Sequence, residues 1–280
     1  MACESREPRG LVLLSYLRSV LASVLGMLWT FGYGALAVAV LLVFPRQKWR
    51  NLIYRSWGRI YVSLFGVEIE LRGESFFPKE GLSGAVCIFN HTSNFDIPII
   101  NAVVKGSLRW GAKIELFHIP IFGSILKSMG VLPIARAHRE EVFKLYFDTI
   151  PRIKKGECFL LAPEGTRKDG CRIYPFKSGP FIFAIEAQCP IIPILIYGAW
   201  RIQPKGRLWA AWGRWRNKVV VQLLPPISTE GLGRDNRACL QEKAFRIMTE
   251  AFSDLKREME GKHISSEFDD RVGETQSKDA

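Results

Sequence analysis

The chain has 280 residues, enough for one sizeable core with appendages but short for two large domains. Its 39 Lys and Arg against 27 Asp and Glu leave a net charge of +12, so the expected partner is anionic, either nucleic acid or phospholipid. The six cysteines form no CxxC pair and have no histidine at ligand spacing, which argues against a disulfide framework or a zinc site, and no metal is expected.

In chain order, the first feature is the uncharged stretch from Ser19 to Phe44, which as a helix would rise roughly 39 Å, more than a hydrocarbon core. A tilted single span fits, and Gly26, Gly32 and Gly34 also permit two short helices that dip into one leaflet and return. The stretch is too long for a signal peptide, so it reads as an uncleaved anchor. Arg46, Lys48, Arg50, Arg55 and Arg59 follow it with no acid among them, which places the main domain on the cytoplasmic side of a membrane, expected to be the cell's inner (plasma) membrane. Nucleic acid is a poor partner for a chain with such an anchor.

Beyond the anchor, Val67, Ile69 and Leu71 alternate with Glu68, Glu70 and Arg72, the period of a strand with one wet face. Apolar runs at 85–89, 159–162 and 191–196, and VVVQLL at 219–224, predict buried strands. Helices are expected at 97–104, 138–154 and 178–188, with a last one over 236–260. The alternation favours an α/β domain with a mixed sheet flanked by helices. The expected organisation is a membrane anchor and basic segment over 1–60, one catalytic domain over 61–260, and an unfolded polar tail over 261–280.

The sharpest chemical feature is Asn90-His91-Thr92-Ser93-Asn94-Phe95-Asp96, between the strand at 85–89 and the helix at 97–104. Positions five apart diverge on a helix, so a His91–Asp96 contact needs a turn, and Ser93 and Asn94 supply turn-forming residues. Asp96 is a candidate helix cap, and Pro98 suits a first helical turn. In that geometry Asp96 holds one imidazole nitrogen and the other accepts a substrate hydroxyl proton, a general-base dyad without a protein nucleophile. The alternative is a surface histidine beside a capping aspartate. Ser93 as nucleophile has only proximity in its favour.

A second cluster, Pro163-Glu164-Gly165-Thr166-Arg167, follows the apolar run 159–162. Gly165 lets a ligand approach the backbone, Thr166 and Arg167 suit phosphate oxygens, and Glu164 suits a polyol or an arginine. Alone, the loop is equally well a simple turn. Residues 200–218 carry Trp200, Trp209, Trp212 and Trp215 among six Lys and Arg with no acid. That composition suits the headgroup layer, where each cation contributes about 1 kcal/mol of attraction to anionic lipid. The alternative is a tryptophan-rich core element flanked by solvated charges.

From about Gly66 to Pro226 the chain resembles the lysophosphatidic acid acyltransferase family of glycerolipid acyltransferases. The resemblance rests on NHTSNFD and PEGTR in this order, supported by GAKIEL at 111–116, GVLPIAR at 130–136, FKSG at 176–179 and PIIPI at 190–194. It implies that His91 and Asp96 form the catalytic dyad, and that Glu164, Gly165 and Arg136 bind a glycerol phosphate acceptor. Lys113 and Arg167 are expected beside the same phosphate. It further implies transfer of a fatty acyl group from acyl-CoA or acyl-ACP (acyl carrier protein) to the sn-2 hydroxyl of lysophosphatidic acid, with no cofactor and no acyl-enzyme. The alternatives are acylation of another lysolipid, of a glycerol 3-phosphate-like acceptor or of a non-phosphorylated one, and an inactive membrane lipid-binding homologue.

Overall fold

The computed structural model describes residues 9–135, 137–207, 209–210 and 216–276. In chain order the elements are α1 (Arg9–Val43), α2 (Gln47–Leu64), β1 (Val67–Arg72), β2 (Val86–Phe89), α3 (Asp96–Val103), β3 (Ser107–Lys113) and α4 (Phe122–Ser128). They continue with β4 (Leu132–Ile134), α5 (Arg139–Lys154), β5 (Glu157–Leu161), α6 (Gly179–Ala187), β6 (Ile191–Tyr197), β7 (Asn217–Leu223) and α7 (Arg237–Gln276).

The described strands form one seven-stranded sheet in the order β1-β7-β6-β2-β5-β3-β4. From β6 to β4 all neighbours are parallel. β7 runs antiparallel to β6, and β1 runs parallel to β7, so the sheet is mixed. The apolar runs are continuous because both faces are covered. Cys87 and Phe89 of β2 join Leu160, Ile192 and Ile194 in a core on one side, while Val86 and Ile88 join Phe159, Phe181, Phe183 and Ile191 on the other. Helices α1 to α4 cover the first side and α5 to α7 the second. This bears out the α/β fold with a mixed sheet between helices.

The uncharged stretch lies, up to Val43, in a single unbroken helix, not in two short ones. Pro45 ends it, because the residue before a proline is pushed out of the helical region. The chain then reverses into α2, so the expected boundary at residue 60 falls inside a helix. The two helices pack antiparallel: the Trp29 indole N–H donates to the Trp57 carbonyl (3.3 Å), and that of Trp57 donates to Thr30 Oγ1 (3.2 Å). Phe44 meets Trp49 at the turn.

Two further differences separate the structure from the sequence reading. The last helix continues past residue 260 to Gln276, so the polar stretch expected to be unfolded extends an existing helix. Each added residue there gains a hydrogen bond without a new nucleation cost. Strands β3 and β4 and helices α2 and α4 were not anticipated. In β3 the obstacle is Arg109, a charged residue with no exposed surface. It is accommodated by Glu157 (3.2 Å), Asn51 (3.2 Å) and its neighbour's carbonyl, Leu108 O (2.7 Å).

Candidate active site

β2 delivers His91 at its C-terminal end, where the sheet's parallel strands leave their open edge. Asn90 fixes the exit from the strand. Its buried amide donates to Ile196 O (2.9 Å) and accepts from Ile196 N (2.8 Å), continuing the β2–β6 pairing through a side chain. The chain then turns, and α3 begins at Asp96.

The turn brings His91 Nδ1 to 2.8 Å from Asp96 Oδ2. The same oxygen accepts the backbone N–H groups of Thr92 (2.8 Å) and Ser93 (2.9 Å), so Asp96 is fully buried yet well bonded. Asp96 opens α3 as its first residue and does not cap it. Its carboxylate folds back onto the preceding turn, while Phe95 occupies the cap position. With Nδ1 taken by Asp96, Nε2 is the unengaged nitrogen of a partly exposed ring. Ser93 is buried, donates its hydroxyl to Gln203 O (3.0 Å) and accepts Phe95 N–H (3.2 Å), which gives it a structural role.

His91 lines a 440 Å³ cavity whose wall also includes Gly165, Lys177, Ser178, Gly179 and Trp110. The loop after β5 clamps the histidine backbone: His91 N donates to Glu164 Oε2 (3.1 Å), and Lys168 N donates to His91 O (2.7 Å). The other Glu164 oxygen accepts Tyr174 N–H (3.0 Å). Burial raises the Glu164 pKa above the ordinary carboxylate value, outweighing the two amides and the nearby Lys168 and His91 that pull it down. Gly165 is required twice over, by a φ of 74° and because a Cβ would stand 2.7 Å from Lys177 Cε.

The remaining anticipated residues are placed less uniformly. Thr166 is exposed. Arg167 carries a buried Nη1 with no partner in the protein. Lys113 is exposed, pairs with Glu115 (2.9 Å) and is not part of the cavity wall. Arg136 lies outside the described residues, as do Trp212 and Trp215. Trp200 packs edge-on against Tyr197 (centroids 4.7 Å apart) and against Gly170, matching the core alternative, while Trp209 is partly exposed.

Sequence reasoning did not single out Lys177 as a site residue. It reaches the cavity over Gly165, and only the fold brings those two together. The Lys-Ser-Gly-Pro entry to α6 was the available signal, since a cation before a helix N-terminus suits an anion.

A second cavity of 210 Å³ lies beside the first, between α1, α2, β3 and α4. Its lining is almost wholly apolar, with Ala37, Ile53, Trp57, Ile125 and Leu126 among the wall residues, and it shares Ile97 and Trp110 with the His91 cavity. The indole N–H of buried Trp110 has no partner in the protein.

A family model described as acyltransferase matches residues 68–197. The chain is 30% identical over 204 residues to the 1-acyl-sn-glycerol-3-phosphate acyltransferase of Escherichia coli, covering 72% of this chain and 80% of that protein. The chain belongs to the acyltransferase family. A further family relative, the 1-acyl-sn-glycerol-3-phosphate acyltransferase of Haemophilus influenzae, is 28% identical over 86% of this chain and 92% of its own length. The crystal structure of the 1-acyl-sn-glycerophosphate (LPA) acyltransferase PlsC from Thermotoga maritima superposes with a TM-score of 0.71, covering 88% of this chain and 98% of that one. At 19% identity that likeness establishes the acyltransferase fold, including its mixed sheet, for this sequence.

Proposed function

We propose that the chain is a 1-acylglycerol-3-phosphate O-acyltransferase, moving a fatty acyl group from a thioester to the sn-2 hydroxyl of lysophosphatidic acid to give phosphatidic acid. The observation that carries this reading is the buried Asp96 bonded to His91 Nδ1, which leaves Nε2 as the unengaged ring nitrogen of a histidine that lines the cavity. The names of the Escherichia coli and Haemophilus influenzae relatives supply the acceptor class.

In this mechanism Nε2 takes the proton of the acceptor hydroxyl as its oxygen attacks the thioester carbonyl. The tetrahedral intermediate then expels the thiolate, which leaves with the proton from His91. Asp96 fixes the tautomer and stabilises the imidazolium formed between the two steps. General-base assistance of this kind contributes about 10²–10⁴ in rate. Lys177, Arg167 and the N-terminus of α6 supply positive charge for the acceptor phosphate. The loop Glu164–Gly165 holds both that region and the base. The apolar cavity beside the site suits the acyl chain of either donor, acyl-CoA or acyl-ACP.

The reading includes attachment to a membrane. Helix α1 presents Leu17, Leu21, Leu25 and Leu28 to the outside, all well exposed. The run Leu13–Val43 is long and apolar enough to cross a bilayer. The basic residues beyond it favour the cytoplasmic side.

The test is acyl transfer by membranes carrying the chain, followed as release of free thiol. Wild type is expected to release thiol only when lysophosphatidic acid is added, and His91→Ala to lose at least 10²-fold while remaining folded and membrane-bound. Near-normal release by His91→Ala would sink the mechanism. Comparing acyl-CoA with acyl-ACP identifies the donor, and acceptor-independent release would point to hydrolysis instead.

A further inference from the structure

A cleft of 570 Å³ opens at the end of the sheet opposite His91. Its walls are the first half of α2, the end of α3 and the residues that lead into the parallel strands β2, β3 and β5: Leu82 and Ser83, Gly106 and Ser107, and Gly156. His91 follows the other end of β2, so no residue of this cleft belongs to either cavity of the proposed active site except Tyr54, which also borders the apolar one.

The cleft is positively charged. Lys48, Arg55, Lys105 and Lys155 line it, against a single acid, Glu80. The first turn of α2, which enters it at Gln47 and Lys48, has no acidic residue and no side-chain cap, so its N–H groups add partial positive charge. Beneath the cleft, Asn51 and Ser107 bond each other (2.8 Å) and Asn51 accepts from Arg109 (3.2 Å). Arg109 and Arg152 both pair with Glu157, at 3.2 and 2.7 Å, so two guanidinium groups face one carboxylate. The floor is therefore rigid and carries an excess of positive charge.

Two polar groups in this cleft are unfinished. Asn101 is 2% exposed, and neither its Nδ2 nor its Oδ1 has a partner in the protein. Arg55 Nε is likewise buried and unpartnered. The Arg55 guanidinium is held below its ordinary pKa, first by burial and then by Arg59, with Glu74 opposing. Leaving such groups unbonded is unfavourable, a cost a ligand removes. Phosphate oxygens answer the cations, Arg55 Nε and the Asn101 Nδ2 donor. Asn101 Oδ1 requires a donor in return, which a phosphate lacks and a hydroxyl supplies.

We propose that this cleft is a second binding site, distinct from the acceptor site, for a phosphate ester that carries hydroxyl groups. Such a ligand has two sources, a glycerol-bearing anionic phospholipid headgroup or a soluble sugar or glycerol phosphate. The structure favours the headgroup. Leu42, Val43, Phe44 and Leu52 are exposed around the α1–α2 turn, next to the lining residues Gln47 and Lys48, and would place the cleft mouth against lipid.

The experiment uses the full chain on phosphatidylcholine vesicles, alone, with phosphatidylglycerol in the bilayer, or with glycerol 3-phosphate in solution. Hydrogen exchange of residues 47–56 and 104–108 reports the cleft and not the His91 cavity. Wild type is expected to gain protection there with phosphatidylglycerol, which assigns the headgroup. Protection by glycerol 3-phosphate as well, or alone, supports the same site with a soluble ligand. Lys105→Glu is a surface change that leaves folding intact, and it is expected to weaken the response at least tenfold. Lys243→Glu changes net charge equally on the remote α7 and is expected to leave it unaltered. Asn101→Ala removes the unbonded amide without adding bulk, so it is expected to weaken the response at least tenfold. No protection with either probe, or equal protection in wild type and Lys105→Glu, overturns the site.

Discussion

Asp96 Oδ2 collects the His91 ring and two backbone amides on one atom, which makes its hydrogen bonds and its charge separable by substitution. Asp96→Asn keeps an oxygen for the Thr92 and Ser93 amides but removes the charge that stabilises an imidazolium. We expect a protein of nearly unchanged thermal stability whose kcat falls by about 10²–10⁴. Asp96→Ala, by contrast, strands two buried N–H groups and is expected to lower stability by about 1–3 kcal/mol for each, measured by denaturant titration. Equal kcat for wild type and Asp96→Asn would remove charge stabilisation from the mechanism. Glu164 gives a pH signature. Its folded-state pKa is raised by burial, so the folded protein holds the proton more firmly than the unfolded chain. That contribution to stability is fully present below the unfolded value and is lost as pH rises through the folded one. Unfolding midpoints measured as pH rises from the ordinary carboxylate range should therefore fall by a component absent from Glu164→Gln. An unchanged slope in the variant would assign the dependence to other groups.

At the scale of elements, the dyad depends on how α2 holds α3. Gly58 on α2 lies so close to α3 that a Cβ there would stand 2.7 Å from Pro98 O and 2.9 Å from Ala102 N, both backbone atoms of the helix that begins with Asp96. Gly58→Ala gains about 1 kcal/mol of helix propensity, but it must displace one helix from the other. A net loss of about 1–3 kcal/mol is expected by thermal unfolding, with a fall in kcat as Asp96 shifts. A stabilised variant would show the contact to be looser than it stands. Helix α2 was also the element the sequence concealed best. Its buried residues Ile53, Tyr54, Gly58 and Val62 follow a helical period, but its four dispersed cations, with Arg46 just before it, read as a topology signal instead. Strand β3 was hidden by Arg109, whose partners Asn51 and Glu157 lie far away in sequence. The buried strands β2, β5 and β6 were legible because lining both faces of the sheet needs unbroken apolar runs. The His91–Asp96 contact was legible because it spans one local turn. Lys177 was not, because only the approach of two loops sets it above Gly165.

At the scale of the molecule, the proposed membrane attachment would use the net charge of +12 and the apolar surface of α1 together. Leu21 and Leu28 are 59% and 64% exposed, so replacing both with Asp should leave the fold intact. It should nevertheless move the chain from the membrane pellet toward the supernatant in vesicle sedimentation. Ala37, 2% exposed, serves as the contrast: Ala37→Asp is expected to lower stability itself, because it buries a charge. If Leu21→Asp with Leu28→Asp sediments like wild type, attachment runs through another surface.

Helix α1 is more than an attachment device. Gly34 lies against Ile125 of α4, Gly26 against Tyr61 of α2 and Phe65 just after it, and the Ala210 amide reaches Ser23 Oγ at 3.4 Å. Tyr33, Gly34 and Ala37 also form part of the wall of the apolar cavity. Cutting the chain at Pro45 to obtain a water-soluble enzyme would thus leave that cavity without a side and bare the aromatic face of α2. For biochemists preparing this protein, detergent or a lipid nanodisc around the intact chain is the practical starting material.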